Sequence, residues 1–304
     1  MIYISLVKNY YSTNGETVTK MKILNPPYDF DINILTSIRT VGKIDFLCFP
    51  TCVDEIMEAF IYAKNNNLKP YILGGGSNSL IGYCKKTLII SDRYLSSIWD
   101  VKDDCITVSS NIYINKFVSQ SNKINLYGLE FLEGIPAHLG GMLCMNAGAY
   151  EQNISDYVQW ITIVDETGER MIEKNDIDFG YRKISIKTVN NHFFISKICL
   201  KLSKNLPKMN YLKQREINHP MNVHSLGCFF KNPENNHAGY LIEKAGLKSF
   251  QIGGAMVSSK HANFLINKGN AKFEDFIELI NHVKKTVLTM FNINLELEIR
   301  IVNE

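Results

Sequence analysis

Two glycine-rich stretches, "LGGGSNSL" at residues 73–80 and "GIPAHLGGMLCMNAGAY" at residues 134–150, restrict most strongly what this 304-residue chain can fold into. Glycine adopts left-handed backbone freely and has no side chain to hold a neighbour away. Each cluster therefore marks a sharp turn or a close approach to the main chain. The first sits between the strand-like runs "KPYIL" and "KTLIIS", a strand–loop–strand pattern. Three successive glycines let N–H groups converge on an anion, and Ser77 and Asn78 add a hydroxyl and an amide. A pyrophosphate suits that geometry. The Gly-Lys-Ser/Thr of a P-loop and the spacing of GxGxxG are both missing, so neither a nucleoside triphosphatase nor a conventional Rossmann site follows. Taken alone, the cluster reads equally well as a structural turn. The second stretch interleaves its glycines with alanine and apolar residues, which suits backbone packed against a large flat ligand. Two separate backbone-rich segments point to a dinucleotide cofactor.

The rest of the chain supplies ordinary elements for a soluble α+β protein. "VDEIMEAFIYAKNNN" places Ile56, Phe60 and Ala63 at helical spacing, and the spacing predicts a second helix from Phe273 to about Phe291 with Phe276, Ile280, Val283 and Val287 on one face. "QWITIVDETGERMIEK" reads as a hairpin about its Asp-Glu-Thr-Gly turn, and "LELEIRIV" alternates like a closing strand. The 33 basic and 30 acidic residues are spread along the chain, without the polybasic run of a nucleic-acid binder. No apolar run approaches the roughly 20 residues of a membrane span, and the N-terminus lacks the apolar core of a signal peptide. The expected location is cytoplasmic. Seven scattered cysteines, odd in number, favour free thiols in a reducing compartment, and no zinc set or other metal site is expected.

The motifs "LGGGSN", "GIPxxxGGxxxMNAGAY", "YRxS", "GxxFKNP", "GYLIEKAGLK", "IGGAxVSxKHANFLIN" and the closing "LEIR" occur in an order and at intervals that resemble the MurB family, the UDP-N-acetylenolpyruvoylglucosamine reductases of peptidoglycan synthesis. The resemblance runs from about Asp31 to the C-terminus. It implies an α+β fold: a two-part FAD-binding domain of the vanillyl-alcohol-oxidase type plus a C-terminal α+β substrate-binding domain. The boundaries expected are an extension at 1–30, FAD-binding subdomains at 31–100 and 101–206, and a substrate domain at 207–304. FAD and NADPH are the implied cofactors, and the partner is a UDP-sugar, met by a monomer. By position, Gly74, Gly75, Gly76, Ser77 and Asn78 would hold the pyrophosphate, and Ile135, Gly140, Gly141, Asn146 and Gly148 would line the flavin.

The resemblance also assigns the chemistry. Hydride addition beside a carboxylate loads negative charge onto an anion, so the step calls for charge-stabilising donors. Arg182 in "YRKIS" matches the family's active arginine and Glu298 in "ELEIR" its glutamate, although a structural salt bridge is the plain alternative for each. Where "GCFFKNP" places Cys228, the family usually has serine as proton donor. A thiol is a stronger acid than an alcohol and is mostly protonated at neutral pH, so Cys228 can take that role. A thiol accessible beside a flavin is also expected to be open to peroxide. Lys231, Asn232, Lys248, His261 and Arg300 are the candidates for the substrate's phosphates and carboxylate. Three further departures are Ala137 and His138, where small residues usually follow "GIP", Lys43 in "RTVGKID", where a second glycine is common, and His219, where glutamine often precedes the proline. The chain between Tyr181 and Lys213 carries no inserted loop and resembles the compact subgroup of the family. An oxidase on the same binding fold, or a binding protein whose catalysis was lost with the serine, are the competing readings.

Overall fold

The computed structural model describes residues 23, 32–189, 192–205 and 210–303, so the expected extension at residues 1–30 lies outside the described residues apart from Ile23. The first unit is a parallel sheet of Lys43–Cys48, Tyr83–Ser91 and Lys69–Leu73, with Tyr83–Ser91 central. Parallel neighbours need a crossover, and the helix Val53–Asn65 follows Lys43–Cys48 as that connection. It buries Ile56, Ala59, Phe60 and Ala63. The central strand reads as unbroken "TLII" because both of its faces are covered: Leu88 and Ile90 pack with Phe60, and Ile89 packs with Ile44 and Leu47.

The second unit is a five-stranded antiparallel sheet in the order Gly168–Glu173, Val158–Asp165, Phe194–Lys201, Cys105–Ser109, Trp99–Lys102. The Asp-Glu-Thr-Gly hairpin closes with Gly168 opposite Asp165. Because Trp99–Lys102 pairs with Cys105–Ser109, a strand straddles the boundary expected after residue 100. The helices Ile114–Lys123 and Leu139–Cys144 bury Phe117, Leu139 and Leu143 in this unit's core. Thus the second glycine stretch contains a short helix. Gly140 makes it possible: a Cβ there would lie 2.7 Å from the Ser110 Cβ, and its N–H donates to the Ser110 carbonyl at 2.8 Å.

The third unit is an antiparallel sheet in the order His224–Cys228, Phe264–Asn267, Ala255–Val257, Gln251–Ile252. Behind it lies the helix Phe273–Phe291, whose Phe276, Ile280, Val283 and Val287 are buried as their spacing predicts. The alternating "LELEIRIV" is not one strand. Lys231 N donates to Glu296 O at 2.8 Å and Glu298 N to Phe229 O at 3.0 Å, so its first half runs beside "CFFK". Its last part, Arg300–Val302, changes partner and pairs in parallel with Ser79–Ile81 of the first unit. One short segment therefore joins the first glycine loop to the third unit.

Candidate active site

A cleft of about 1970 Å³ is lined by both glycine stretches and by the third unit. That is about twice the upper end of an ordinary small-molecule pocket, about 300–1,000 Å³, and gives room for a cofactor and a second ligand together. Gly74, Gly75, Gly76, Ser77, Asn78, Ile135, Gly140, Gly141 and Gly148 all line it. The cradle fits a dinucleotide on three observations. Among the described residues, no backbone acceptor takes the N–H groups of Gly75, Gly76 or Ser77, which leaves consecutive donors for an anion. The buried hydroxyls of Thr36 and Ser110, both on the cleft wall, have no partner among the described residues. A Cβ on Gly141 would meet nothing within 4 Å, so side-chain absence there leaves space in the cleft and relieves no protein contact. Gly76 is glycine for a different reason. Its φ of +67° is left-handed, and a Cβ would fall on the backbone of Leu35 and Thr36.

Asn78 lines the cleft and also ties it to the third unit, whereas Asn146 is not among the lining residues. The Asn78 amide donates to Glu298 O at 3.1 Å, and Asn78 O accepts from Arg300 N at 2.9 Å, so this residue braces the loop to the segment bearing Glu298. Asn146 is buried behind the wall. It donates to Gly180 O at 3.1 Å, and its Oδ1 accepts from Ser155 N at 3.4 Å.

Three side chains from three distant segments line the same cleft. Arg182 lies at the tip of the hairpin Ile177–Gly180/Lys183–Ile186 with φ +57°, a conformation usually left to glycine or asparagine in such turns. Holding an arginine there costs about 1–2 kcal/mol, and backbone strain of that kind collects at functional positions. Its Nε lies 3.0 Å from Glu298 Oε1, its Nη2 donates to Gly148 O at 3.3 Å, and the guanidinium covers the Tyr181 ring. Burial raises the Glu298 carboxyl above its usual range despite the opposing pull of Arg182 and Lys231. Cys228 follows Gly227, whose φ is +73°, and the strand loses register with its neighbour between Ser225 and Cys228. A bulge re-aims the following side chain, and here Cys228 borders the cleft.

The surrounding protein, and then the charge of Glu298, push the Cys228 thiol up to about 12, against smaller opposing effects of Arg182, Arg215 and an Asn263 hydrogen bond. The thiol is therefore held in its protonated form. The raised thiol counts against the expected openness to peroxide, because oxidation proceeds through the thiolate.

Of the substrate candidates, only Arg300 lines the cleft. Lys231 pairs with Glu296 at 3.4 Å, and Lys248 with Glu243 at 2.9 Å. The Asn232 side chain accepts from Ala238 N at 3.1 Å, and its own N–H donates to Tyr181 Oη at 3.2 Å. His261 lies tilted against His219 and edge-on to Phe264, and burial lowers its pKa. Sequence reasoning missed Arg215. Its Nη2 donates to Phe131 O at 3.0 Å while the buried Nε has no partner among the described residues, a cation on the cleft wall. In the polar helix Tyr211–Asn218 nothing distinguishes the one inward arginine from its outward neighbours. His219, also on the wall, is lowered to about 4, by burial first and then by Arg215, His261 and Lys260.

Residues 219–302 match the family described as "UDP-N-acetylenolpyruvoylglucosamine reductase, C-terminal domain", and residues 44–172 match "FAD binding domain". The UDP-N-acetylenolpyruvoylglucosamine reductase of Clostridium tetani is 36% identical over 279 residues, covering 88% of this chain and 89% of the relative. The "reductase 2" of that name from Bacillus thuringiensis subsp. konkukian is 38% identical over 279 residues, covering 88% and 90%. The crystal structure of the corresponding reductase (MurB) from Thermus caldophilus superposes with a TM-score of 0.75 at 26% identity, over 93% of this chain and 99% of that one.

Proposed function

The chain belongs to the UDP-N-acetylenolpyruvoylglucosamine reductase family, and from that premise we propose how its cleft residues divide the work. It is a flavin-dependent oxidoreductase that reduces UDP-N-acetylenolpyruvoylglucosamine to UDP-N-acetylmuramate with NADPH, for peptidoglycan precursor synthesis. The observation that carries the residue roles is the meeting of Arg182, Glu298 and Cys228 on one cleft beside the glycine cradle.

Gly75, Gly76 and Ser77 offer their free N–H groups to the FAD diphosphate, and Gly141 leaves room for the cofactor. Bound there, FAD would supply the hydride-transfer chemistry between NADPH and the enol ether. Arg182 meets the negative charge that then gathers on the substrate carboxylate, with two parallel donors in a site of low polarity. Cys228 gives its Sγ proton to the adjacent carbon. Glu298 pairs with the Arg182 Nε, and burial, with the Glu298 charge added to it, keeps the thiol protonated until that moment. Arg300 is the cation for the substrate's phosphates. All of these groups come from one chain, which supports a monomer as the working unit. Among the described residues no helix is long and apolar enough to cross a membrane. We place the enzyme in the cytoplasm, where NADPH and sugar nucleotides are held.

The test is one anaerobic absorbance experiment on the flavin-loaded protein. NADPH should bleach the flavin band, and UDP-N-acetylenolpyruvoylglucosamine should restore it. A band that returns only on admitting air would instead indicate an oxidase.

A further inference from the structure

Asn263 is a buried amide to which the roles above give no part, and it stands directly behind Cys228. The strand His224–Cys228 loses register with Phe264–Asn267 after Ser225 and regains it with Cys228 opposite Phe264. Beyond Cys228 the ladder partner is Asn263. Phe229 N donates to Asn263 O at 3.1 Å, Phe230 N donates to Asn263 Oδ1 at 3.0 Å, and Asn263 Nδ2 donates to Phe230 O at 2.7 Å. One side chain thus takes both backbone groups of Phe230, as the facing residue of a hydrogen-bonded strand pair would. On the other edge of the same segment Glu298 N donates to Phe229 O at 3.0 Å, so the chain that follows Cys228 is gripped between Asn263 and the stretch bearing Glu298. Asn263 is itself anchored, its N–H donating to His261 Nδ1 at 3.2 Å.

The Asn263 side chain also hydrogen-bonds the Cys228 thiol. The direction of that bond follows from the amide. Phe230 N–H meets Oδ1 and Phe230 O meets Nδ2, which fixes which end of the amide is which and leaves one N–H on Nδ2 to spare. The bond favours the thiolate, so the amide donates and Sγ accepts. The Ser225 hydroxyl, in the same strand, is already committed, donating to Leu265 O at 2.8 Å and accepting from Gly227 N at 3.0 Å. A thiol has a single proton. With Asn263 on its lone pair, that proton is not spent on the protein behind it and is free for the cleft that Cys228 lines.

We propose that Asn263 is a positioning residue for the reduction, its amide holding Cys228 Sγ as an acceptor and fixing the backbone behind it so that the thiol proton is presented to the substrate. The inference rests on the reading of Cys228 as proton donor. Displacement of a reacting group by about 1 Å costs about 10²-fold, so loss of the amide should cost about 10–10²-fold in the proton-transfer step and leave the hydride donor untouched.

The test is a double-mutant cycle on the flavin-loaded full chain, reduced by NADPH and mixed without oxygen with UDP-N-acetylenolpyruvoylglucosamine. Asn263→Ala should slow the return of the flavin band by about 10–10²-fold at saturating sugar, with bleaching by NADPH at its native rate. The concentration of sugar giving half the maximal rate should stay within about twofold of native. Added to Cys228→Ala, the same change should cost less than about twofold, because a residue that acts through the thiol then has nothing to act on. Asn263→Asp keeps the shape and an acceptor for Phe230 N–H but has no amide protons, and it should lose the same rate if the alanine variant fails to fold. Equal slowing in the native and Cys228→Ala backgrounds, or a native rate in Asn263→Asp, overturns the proposal. Loss of FAD binding in both variants would make Asn263 a fold-holding residue and overturns it too. A Cys228→Ala protein that keeps the native rate removes the donor reading itself, whereas a slow Cys228→Ala beside fast Asn263 variants removes this proposal alone.

Discussion

Two carboxylate–arginine pairs in this molecule have opposite effects on their acids. In the Asp165–Arg170 pair, on the hairpin of the second sheet, Nη2 lies 2.6 Å from Oδ2, and the Asp165 carboxyl drops from 3.8 to about 2. In the Arg182–Glu298 pair Nε lies 3.0 Å from Oε1, yet the Glu298 carboxyl rises. The difference lies in what surrounds each ion pair. Asp165 also accepts from Thr167 N at 2.8 Å and Thr167 Oγ1 at 2.6 Å, so its negative charge is shared among several donors. Glu298 has one arginine, loses solvent in the cleft wall, and faces the Cys228 thiol. A salt bridge that holds the fold together satisfies its carboxylate fully. The pair in the cleft leaves charge unsatisfied, and there it can act on a substrate.

That contrast is sharpest in the arginines. Arg182→Ala should slow recovery of the flavin band by the enolpyruvyl sugar by about 10²–10³-fold, as loss of a charge-stabilising donor does, with NADPH bleaching preserved. Arg182→Gly should lose the same rate while gaining about 1 kcal/mol of stability from the relieved left-handed backbone. If the two variants match in thermal stability, the strain at this turn is not what the geometry indicates.

Asp165→Asn should cost about 2 kcal/mol of folding stability and leave turnover unchanged. The sign follows from a lowered acid. Its contribution is complete above the ordinary 3.8 and is lost as pH falls through about 2, so acid-unfolding curves of native and variant proteins should converge at the low end. Curves that stay parallel to pH 2 would remove the fold-holding half of the comparison.

The glycines divide the same way, with effects near 1 kcal/mol. Gly76→Ala forces an L side chain into left-handed backbone against Leu35 and Thr36, and should lower the melting temperature. Gly141→Ala meets no protein atom and sits in a helix, so stability should hold or rise by up to about 1 kcal/mol while FAD affinity falls. Unchanged FAD affinity in Gly141→Ala would mean the open space is not the cofactor's. The smallest effect is chemical. Glu298→Gln removes the charge that raises Cys228, so alkylation of the Cys228 peptide at pH 8, read by mass spectrometry, should quicken several-fold.

What the sequence made legible was local. The helix Phe273–Phe291 and the hairpin about Asp-Glu-Thr-Gly follow from periodicity and turn chemistry within a single stretch. The glycine cradle was legible because glycine declares itself wherever backbone must turn or lie open. The pairing of Arg182 with Glu298 could be named only through the family motifs, since 116 positions of chain separate the partners and no spacing rule links them. Arg215 and the buried pair of Asp92 with His138 were not legible. A buried charged side chain becomes distinctive only when the fold brings its partner to it, and these partners come from other units. The change of partner within "LELEIRIV" was hidden for the same reason: alternation records which face is buried, and says nothing about which strand lies alongside.

The most direct test of the account is the half-reaction of reduced Cys228→Ala with UDP-N-acetylenolpyruvoylglucosamine, followed by the return of the flavin band. With Cys228 as proton donor, that return slows by about 10²–10⁴-fold, bleaching by NADPH keeps its native rate, and Cys228→Ser recovers part of the loss. A Cys228→Ala protein whose flavin band returns within twofold of the native rate would show that the proton comes from elsewhere.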